Sequence, residues 1–553
     1  MNKKVAKLVS FFTIVLIIGN MFAGCSGKTN DNAAASGTNP SAAEASSENT
    51  STAKASDTSV YPLDTDVKLK VWERLSFTKG SNTGDTEYGK LLSQKTGINV
   101  EYLNPPLGKE KDSFNVMIAS GDLPDIIKWQ WGVASQYSGG ANKALADGLA
   151  LPLNDIMDKW APNLKKVLQD NPAYDKGAKT DDGIYWGFPM IREDEYLMVF
   201  QGPVVRKDWL DDVGLQVPTT IDEWYTVLKA FKEKKGATAP LTYLEVPTTL
   251  LTCGGFIGAY GTIRDFFVDD AGKIKYGPLE PGYKDFLTTF KKWYDEGLLD
   301  KDFATIDNKT ITAKITSGKT GATINNVGGG IGTYMNTMKE KDAKYSVVAA
   351  PYPVLEKGGR PMFGQREPAI TGMFGVINPK SKNIEIAARF LDYGYSEEGR
   401  LMMNFGEEGV TYKMIDGYPT YTELVTKNPN GLVFSECLSL YVNGTNNCSI
   451  QDRRYMEQYL EYPQQKEAIP IWADTDAAKH LVPTNITLTE EEAAQYTKIM
   501  ADINTYESEM YLKFIMGVEP LDNFDKFVDQ LKKMDIDKAI SIKQAALERF
   551  NKR

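Results

Sequence analysis

From residue 67 to residue 129 apolar runs of two different periods take turns along the chain, and that alternation constrains the fold more than any other feature. Val67, Leu69 and Val71 alternate with Lys68 and Lys70, the period-two pattern of a half-buried strand. A polar loop follows, then a helical stretch from Thr86 to Lys95 with Gly97 as its stop, then a second strand at Ile98 to Tyr102. Ser113 to Ala119 has helical spacing, and Gly121-Asp122-Leu123-Pro124 turns the chain into a third apolar strand, Asp125 to Trp129. A β-α-β-α-β order predicts a largely parallel α/β sheet, which binds ligands beyond the carboxyl ends of its strands. Trp72, Trp129 and Trp131 lie at or just beyond such ends.

With 553 residues the chain exceeds one compact core, so two or more lobes are expected. A second unit opens after Gln201-Gly202-Pro203, with a short helix over Asp208 to Val213. Thr220 and Glu223 have capping-box spacing ahead of a core stripe of Trp224, Leu228 and Phe231. Tyr345 to Ala350 and Thr371 to Ile377 read as strands, and Ile384 to Tyr393 as a helix. The tail is helical: Thr489 and Glu492 cap a run reaching Gly517, and two amphipathic helices follow over 522–534 and 535–551.

The N-terminus reads as an address. Lys3, Lys4 and Lys7 precede an apolar run from Leu8 to Ile18 that is too short to span a bilayer comfortably. Residues 1–24 are expected to be a signal peptide, and Phe22-Ala23-Gly24-Cys25 resembles a bacterial lipobox with Cys25 as the lipidated residue, although Phe22 departs from the usual leucine. Residues 25–65 begin with a Ser/Ala/Thr/Asn-rich stretch that cannot bury enough apolar surface to fold, and read as a lipid-anchored tether.

Composition excludes several functions. A formal charge of -10 argues against nucleic acid, whose phosphates need a concentrated basic surface. The single histidine, His480, rules out most histidine metal sites and leaves one base for a Ser-His pair. Beyond Cys25, three cysteines remain; a Cys437–Cys448 bridge and buried free thiols are both open, with Cys253 unpaired either way. No phosphate-binding glycine loop is present, since Gly328-Gly329-Gly330 lacks the following Lys-Ser/Thr.

Several ordered segments carry a resemblance. Ser120-Gly121-Asp122-Leu123-Pro124-Asp125-Ile126, Asp182-Gly183-Ile184-Tyr185-Trp186-Gly187-Phe188-Pro189, Arg206-Lys207-Asp208-Trp209-Leu210, the stretch from Asn404-Phe405-Gly406 to Tyr412, and Lys513-Phe514-Ile515-Met516-Gly517 resemble family 1 extracellular solute-binding proteins, in the LipO/YtcQ-like lipoprotein branch, over residues 66 to 551. The resemblance implies an α/β, two-lobed periplasmic-binding-protein type II fold with a helical C-terminal region. It places lobe 1 at 66–200 and 348–425, and lobe 2 at 201–347 and 426–553. It also implies a non-enzymatic, monomeric protein that captures an oligosaccharide outside the cell and delivers it to ABC transporter permease subunits, touching the membrane only through its lipid. Some relatives carry a calcium loop where this chain reads Lys232-Glu233-Lys234-Lys235-Gly236-Ala237-Thr238, too poor in oxygen ligands, so no metal and no cofactor are expected. A glycan-cleaving enzyme, and a binding protein for a peptide or a membrane sensor, are the alternatives.

A sugar offers an apolar C–H face and a rim of hydroxyls, so its cleft needs aromatic planes beside charged or amide groups. Charged hydrogen bonds contribute about 1.5–3 kcal/mol each, so two or three with one stack reach micromolar affinity, about -8 kcal/mol. Segments with both ingredients near strand ends give the candidate ligand residues: Trp72, Glu73 and Arg74; Trp129 and Trp131; Trp186; Arg192; Asn325 and Asn326; and Arg366. Gln201-Gly202-Pro203 and Ala350-Pro351 are the candidate hinges.

Overall fold

The structure, a computed structural model, describes residues 60–76, 82–132, 136–137, 139–244, 254–442 and 447–553. The signal peptide, Cys25, most of the tether and Cys253 lie outside the described residues.

Strands β1 (Lys68–Trp72), β2 (Asn99–Leu103), β3 (Ile126–Gln130) and β4 (Phe188–Arg192) come first in the chain. They are followed by β5 (Gln201–Arg206), β6 (Phe266–Val268), β7 (Ile274–Tyr276), β8 (Ala322–Asn326) and β9 (Val347–Ala349). The last are β10 (Ile370–Ile377), β11 (Tyr412–Ile415), β12 (Tyr418–Tyr421) and β13 (Ile450–Gln451). A six-stranded sheet has the order β13-β4-β10-β3-β1-β2. Its β1/β2, β1/β3 and β13/β4 pairs are parallel, whereas β10 runs antiparallel between β3 and β4. The sheet is therefore mixed, because a strand returning from the other half of the molecule is inserted at its centre. A second sheet, β8-β5-β9, is antiparallel throughout.

Local chemistry explains the helices. Thr86 accepts from the Gly89 amide at 3.1 Å to start the Glu87–Thr96 helix, and Gly97 ends it in the left-handed conformation. The capping boxes at Thr220/Glu223 and Thr489/Glu492 both form. The long C-terminal helix, Glu490–Ile515, is about 39 Å at 1.5 Å per residue.

One core surrounds the six-stranded sheet, and a second gathers around the Ile221–Lys235, Pro281–Asp295 and C-terminal helices. The chain passes between them after β4, after β9 and after β13. Val347–Ala349 pairs with β5 of the second sheet, and Ile450–Gln451 pairs with β4 of the first. Gln201-Gly202-Pro203 is no hinge, because it is fully laddered to Asn326, Asn325 and Ile324. A Cβ on Gly202 would sit 2.5 Å from the Trp472 indole, so this glycine serves close packing. The connections on either side, 193–199 and 351–368, make no backbone ladder bonds to either sheet and are joined to each other where the Glu367 amide donates to the Met198 carbonyl at 2.9 Å.

Candidate ligand groove

Strands β1, β2, β3, β4 and β13 all end at one edge of the first sheet, where Trp72, Glu73, Arg74, Trp129, Trp131 and Arg192 lie. The aromatic ones turn inward. Phe114, from the Glu110–Ser120 helix, stacks on Trp129 at 4.9 Å; Trp72 meets Trp129 at 5.2 Å and Trp131 meets Tyr137 at 4.9 Å. Trp72, Trp129 and Trp131 are 5%, 2% and 0% exposed, so no ring face remains open for a sugar. Trp129 belongs to β3, as its pattern predicts, and its neighbours in the core claim the indole. Trp186 is likewise buried, against Phe374 at 4.3 Å.

Glu73 also departs from the expected role. Its carboxylate is buried 2.8 Å from the Lys128 ammonium. Burial disfavours that ammonium, yet Glu73 outweighs it and holds the lysine above its ordinary pKa. Asn325 is buried and donates to the Tyr334 hydroxyl at 2.6 Å, a structural bond beneath the second sheet. Arg74, beyond the end of β1, and Asn326, the last residue of β8, are exposed. Arg192 ends β4 and Arg366 lies in the second connection, the former paired with Glu367 and lying 5.5 Å over Phe200, the latter paired with Glu195 of the first.

An open concavity of about 1130 Å³ lies beside the first connection. One wall is built by two capped helices. Asp194 accepts from the Tyr196 amide at 2.7 Å and starts the Glu195–Met198 turn, presenting the Tyr196 ring. Asp452 accepts from the Arg454 amide at 2.9 Å and starts the Arg453–Tyr459 helix. The parallel pairing Ile450↔Ile191 sets the two helix starts side by side. The Arg453 guanidinium then lies 4.7 Å over the Tyr196 ring, 3.5 Å from Asp194 and 2.7 Å from Glu457. Tyr418, on β12, donates to Glu457 at 2.8 Å. On the other wall Arg360 pairs with Asp474 and, at 3.0 Å, Asp476, and the Pro463–Ala473 helix contributes Lys466, Ile469, Pro470 and Ala473.

Charges beneath the wall fix it in place. Burial alone would raise the Asp452 carboxyl, but hydrogen bonds from Arg454 and the nearby Arg400 hold it below the usual range. For Glu193, burial prevails over Arg400 and the carboxyl rises. The groove thus offers tyrosine faces beside charged groups already oriented by partners, the combination a polyhydroxylated ligand requires.

Sequence reading missed Tyr196, Tyr418 and Arg453. They come from three distant segments, and the only local signal is the charged run Asp452-Arg453-Arg454 beside a strand end. His480 is buried with Nδ1 2.9 Å from the Val268 carbonyl. Cys437 and Cys448 are buried free thiols, which closes the question of a bridge between them. Among the described residues no cluster of three or more His, Cys, Asp or Glu could hold a metal ion, and no helix is long and apolar enough to cross a membrane.

This chain belongs to the bacterial extracellular solute-binding protein family, whose model matches residues 80–401, and it has the type II periplasmic-binding-protein fold. It is similar to the lipoprotein LipO of Bacillus subtilis, 28% identical over 465 residues covering 80% of this chain and 85% of LipO. It is also similar to the fructooligosaccharide ABC transporter substrate-binding protein FusA of Streptococcus pneumoniae, 26% identical over 376 residues, 63% of this chain and 65% of FusA. The crystal structure of the alginate-binding protein AlgQ2 without calcium ion matches with a TM-score of 0.67 and 25% identity, covering 89% of this chain and 99% of AlgQ2.

Proposed function

We propose that this chain is an extracellular, lipid-anchored binding protein, held by Cys25, that captures an oligosaccharide in the groove beside Tyr196 and Arg453 and delivers it unaltered to the permease subunits of an ABC importer. The single observation that carries this reading is the Arg453 guanidinium 4.7 Å over the Tyr196 ring in an open groove of about 1130 Å³. Around that pair every ingredient for gripping hydroxyls is pre-oriented. The names of FusA and AlgQ2, a fructooligosaccharide binder and an alginate binder, support a carbohydrate, and LipO supports the lipid anchor. The two cores act as two lobes, 66–200 with 351–452 and 201–350 with 453–553, closing about the 193–199 and 351–368 connections. Contacts made only when closed select that state. Arg74, Arg192, Asn326 and Arg366 are the sequence candidates that remain available to a ligand on closure. The protein works as a monomer.

Calorimetric titration of the purified protein with a neutral trisaccharide, kestose, and an acidic one, trigalacturonate, tests this. At least one binds, and Tyr196→Ala weakens it about 10-fold, the loss of about 1.4 kcal/mol of ring contact. Absence of binding by both sugars, or full affinity in the variant, rejects the groove as the sugar site. New reducing ends on incubation would mark an enzyme instead.

A further inference from the structure

The Pro463–Ala473 helix carries a proline in its interior, Pro470, and turns one face to the groove. Lys466, Ile469, Pro470 and Ala473, spaced three and four apart, all line it. In an unbroken helix the amide of residue 470 would donate to the carbonyl of Lys466. Proline has no N–H, so that carbonyl is left without its helical donor. Both residues of the missing bond line the groove.

A proline here is costly, since an interior helix position disfavours it by about 3 kcal/mol relative to alanine. The rest of the helix is well fixed. Gln465 caps its start, accepting from the Tyr462 amide at 3.1 Å while its own side chain donates to the Val327 carbonyl at 2.9 Å. Trp472, fully buried, donates to the Pro203 and Ala350 carbonyls at 3.2 Å. The helix is therefore held by neighbours on both sides of Pro470, and the interruption falls at the groove.

Resting on the oligosaccharide reading above, we infer that the Lys466 carbonyl is a ligand-binding acceptor created by Pro470. It takes a hydrogen bond from a sugar hydroxyl while the pyrrolidine ring covers part of the sugar's C–H face. A backbone acceptor bound to a packed helix cannot swing away, so it discriminates between sugars by the direction of one hydroxyl. The preferred ligand has a hydroxyl donor opposite the face resting on the Tyr196 wall.

The test uses two variants that restore the amide, Pro470→Ala and Pro470→Val, the second retaining apolar bulk at the groove. Each is titrated with whichever of kestose and trigalacturonate the unaltered protein binds, and its thermal unfolding is recorded. Both variants should bind about 5- to 10-fold more weakly, the share of one hydrogen bond, while their melting temperature stays equal or rises. Hydrogen exchange should show the new residue-470 amide protected. Unchanged affinity in either variant overturns the carbonyl's role, as does weaker binding accompanied by a lower melting temperature and an unprotected amide. If the unaltered protein binds neither sugar, the oligosaccharide reading itself fails first, and this inference with it.

Discussion

Removing the charge of Glu507 should unfold the second core far more readily than its single side chain suggests. Glu507, on the Glu490–Ile515 helix, grips Arg264 through both oxygens at 2.9 Å and also accepts from the Tyr283 hydroxyl. The Arg264 guanidinium lies 3.6 Å over the Tyr511 ring. Exposure of the two charged side chains is 1% for Arg264 and 4% for Glu507. Burial works against the guanidinium, but Glu507 overrides it and holds its pKa well above the usual value. Glu507→Gln keeps the shape and removes the carboxylate charge that grips that guanidinium. Breaking a buried pair from one side costs roughly 3–5 kcal/mol, whereas replacing both partners by apolar residues is often neutral. Urea unfolding followed by far-UV circular dichroism should therefore show a loss of about 3–5 kcal/mol for Glu507→Gln. Arg264→Met with Glu507→Leu should recover most of it. A Glu507→Gln loss below about 1 kcal/mol, or a double variant no better than the single, would refute the reasoning.

Two further perturbations follow from buried charges. Burial lifts the Asp392 carboxyl to about 6, against the opposing amide donors of Leu164 and Asn163. The folded chain thus keeps a proton that the unfolded chain releases above about pH 4, so this stabilisation is complete below about pH 4 and is lost as pH rises through about 6. The stability difference between the unaltered protein and Asp392→Asn should fall by about 3 kcal/mol from pH 4 to pH 7 in thermal melts, and a constant difference would disprove it. Asp181, on a turn against the first core, accepts from Arg549 at 3.1 Å, Arg553 at 2.8 Å and Thr487 at 2.8 Å, tying the Ile536–Asn551 helix to the first core. Asp181→Ala should speed amide exchange in the last turns of that helix about 100-fold, because the Arg553 side chain, 1% exposed, loses its carboxylate at a cost of about 3 kcal/mol; unchanged exchange would refute the link.

The amino-acid sequence by itself determined what depends on neighbours within a turn or a strand. Thr86, Thr220 and Thr489 start their helices as their spacing demands, and the apolar stripe of Trp224, Leu228 and Phe231 faces a core. The family resemblance is also a matter of linear order. Tertiary structure alone decided which aromatic residues are open. Trp72, Trp129 and Trp131 look like ligand platforms in one dimension, but Phe114 and Tyr137 arrive from other segments and cover them. Conversely Tyr196 and Arg453 meet because β13 pairs with β4 some 260 residues after it, Tyr418 joins them from β12 through Glu457, and no local pattern encodes contacts at that separation. The insertion of β10 between β3 and β4 has the same origin: a returning chain satisfies the ladder bonds that a continuous parallel sheet would have closed otherwise. Burial is a property of the whole packed body, and so the groove could be read only once that body was formed.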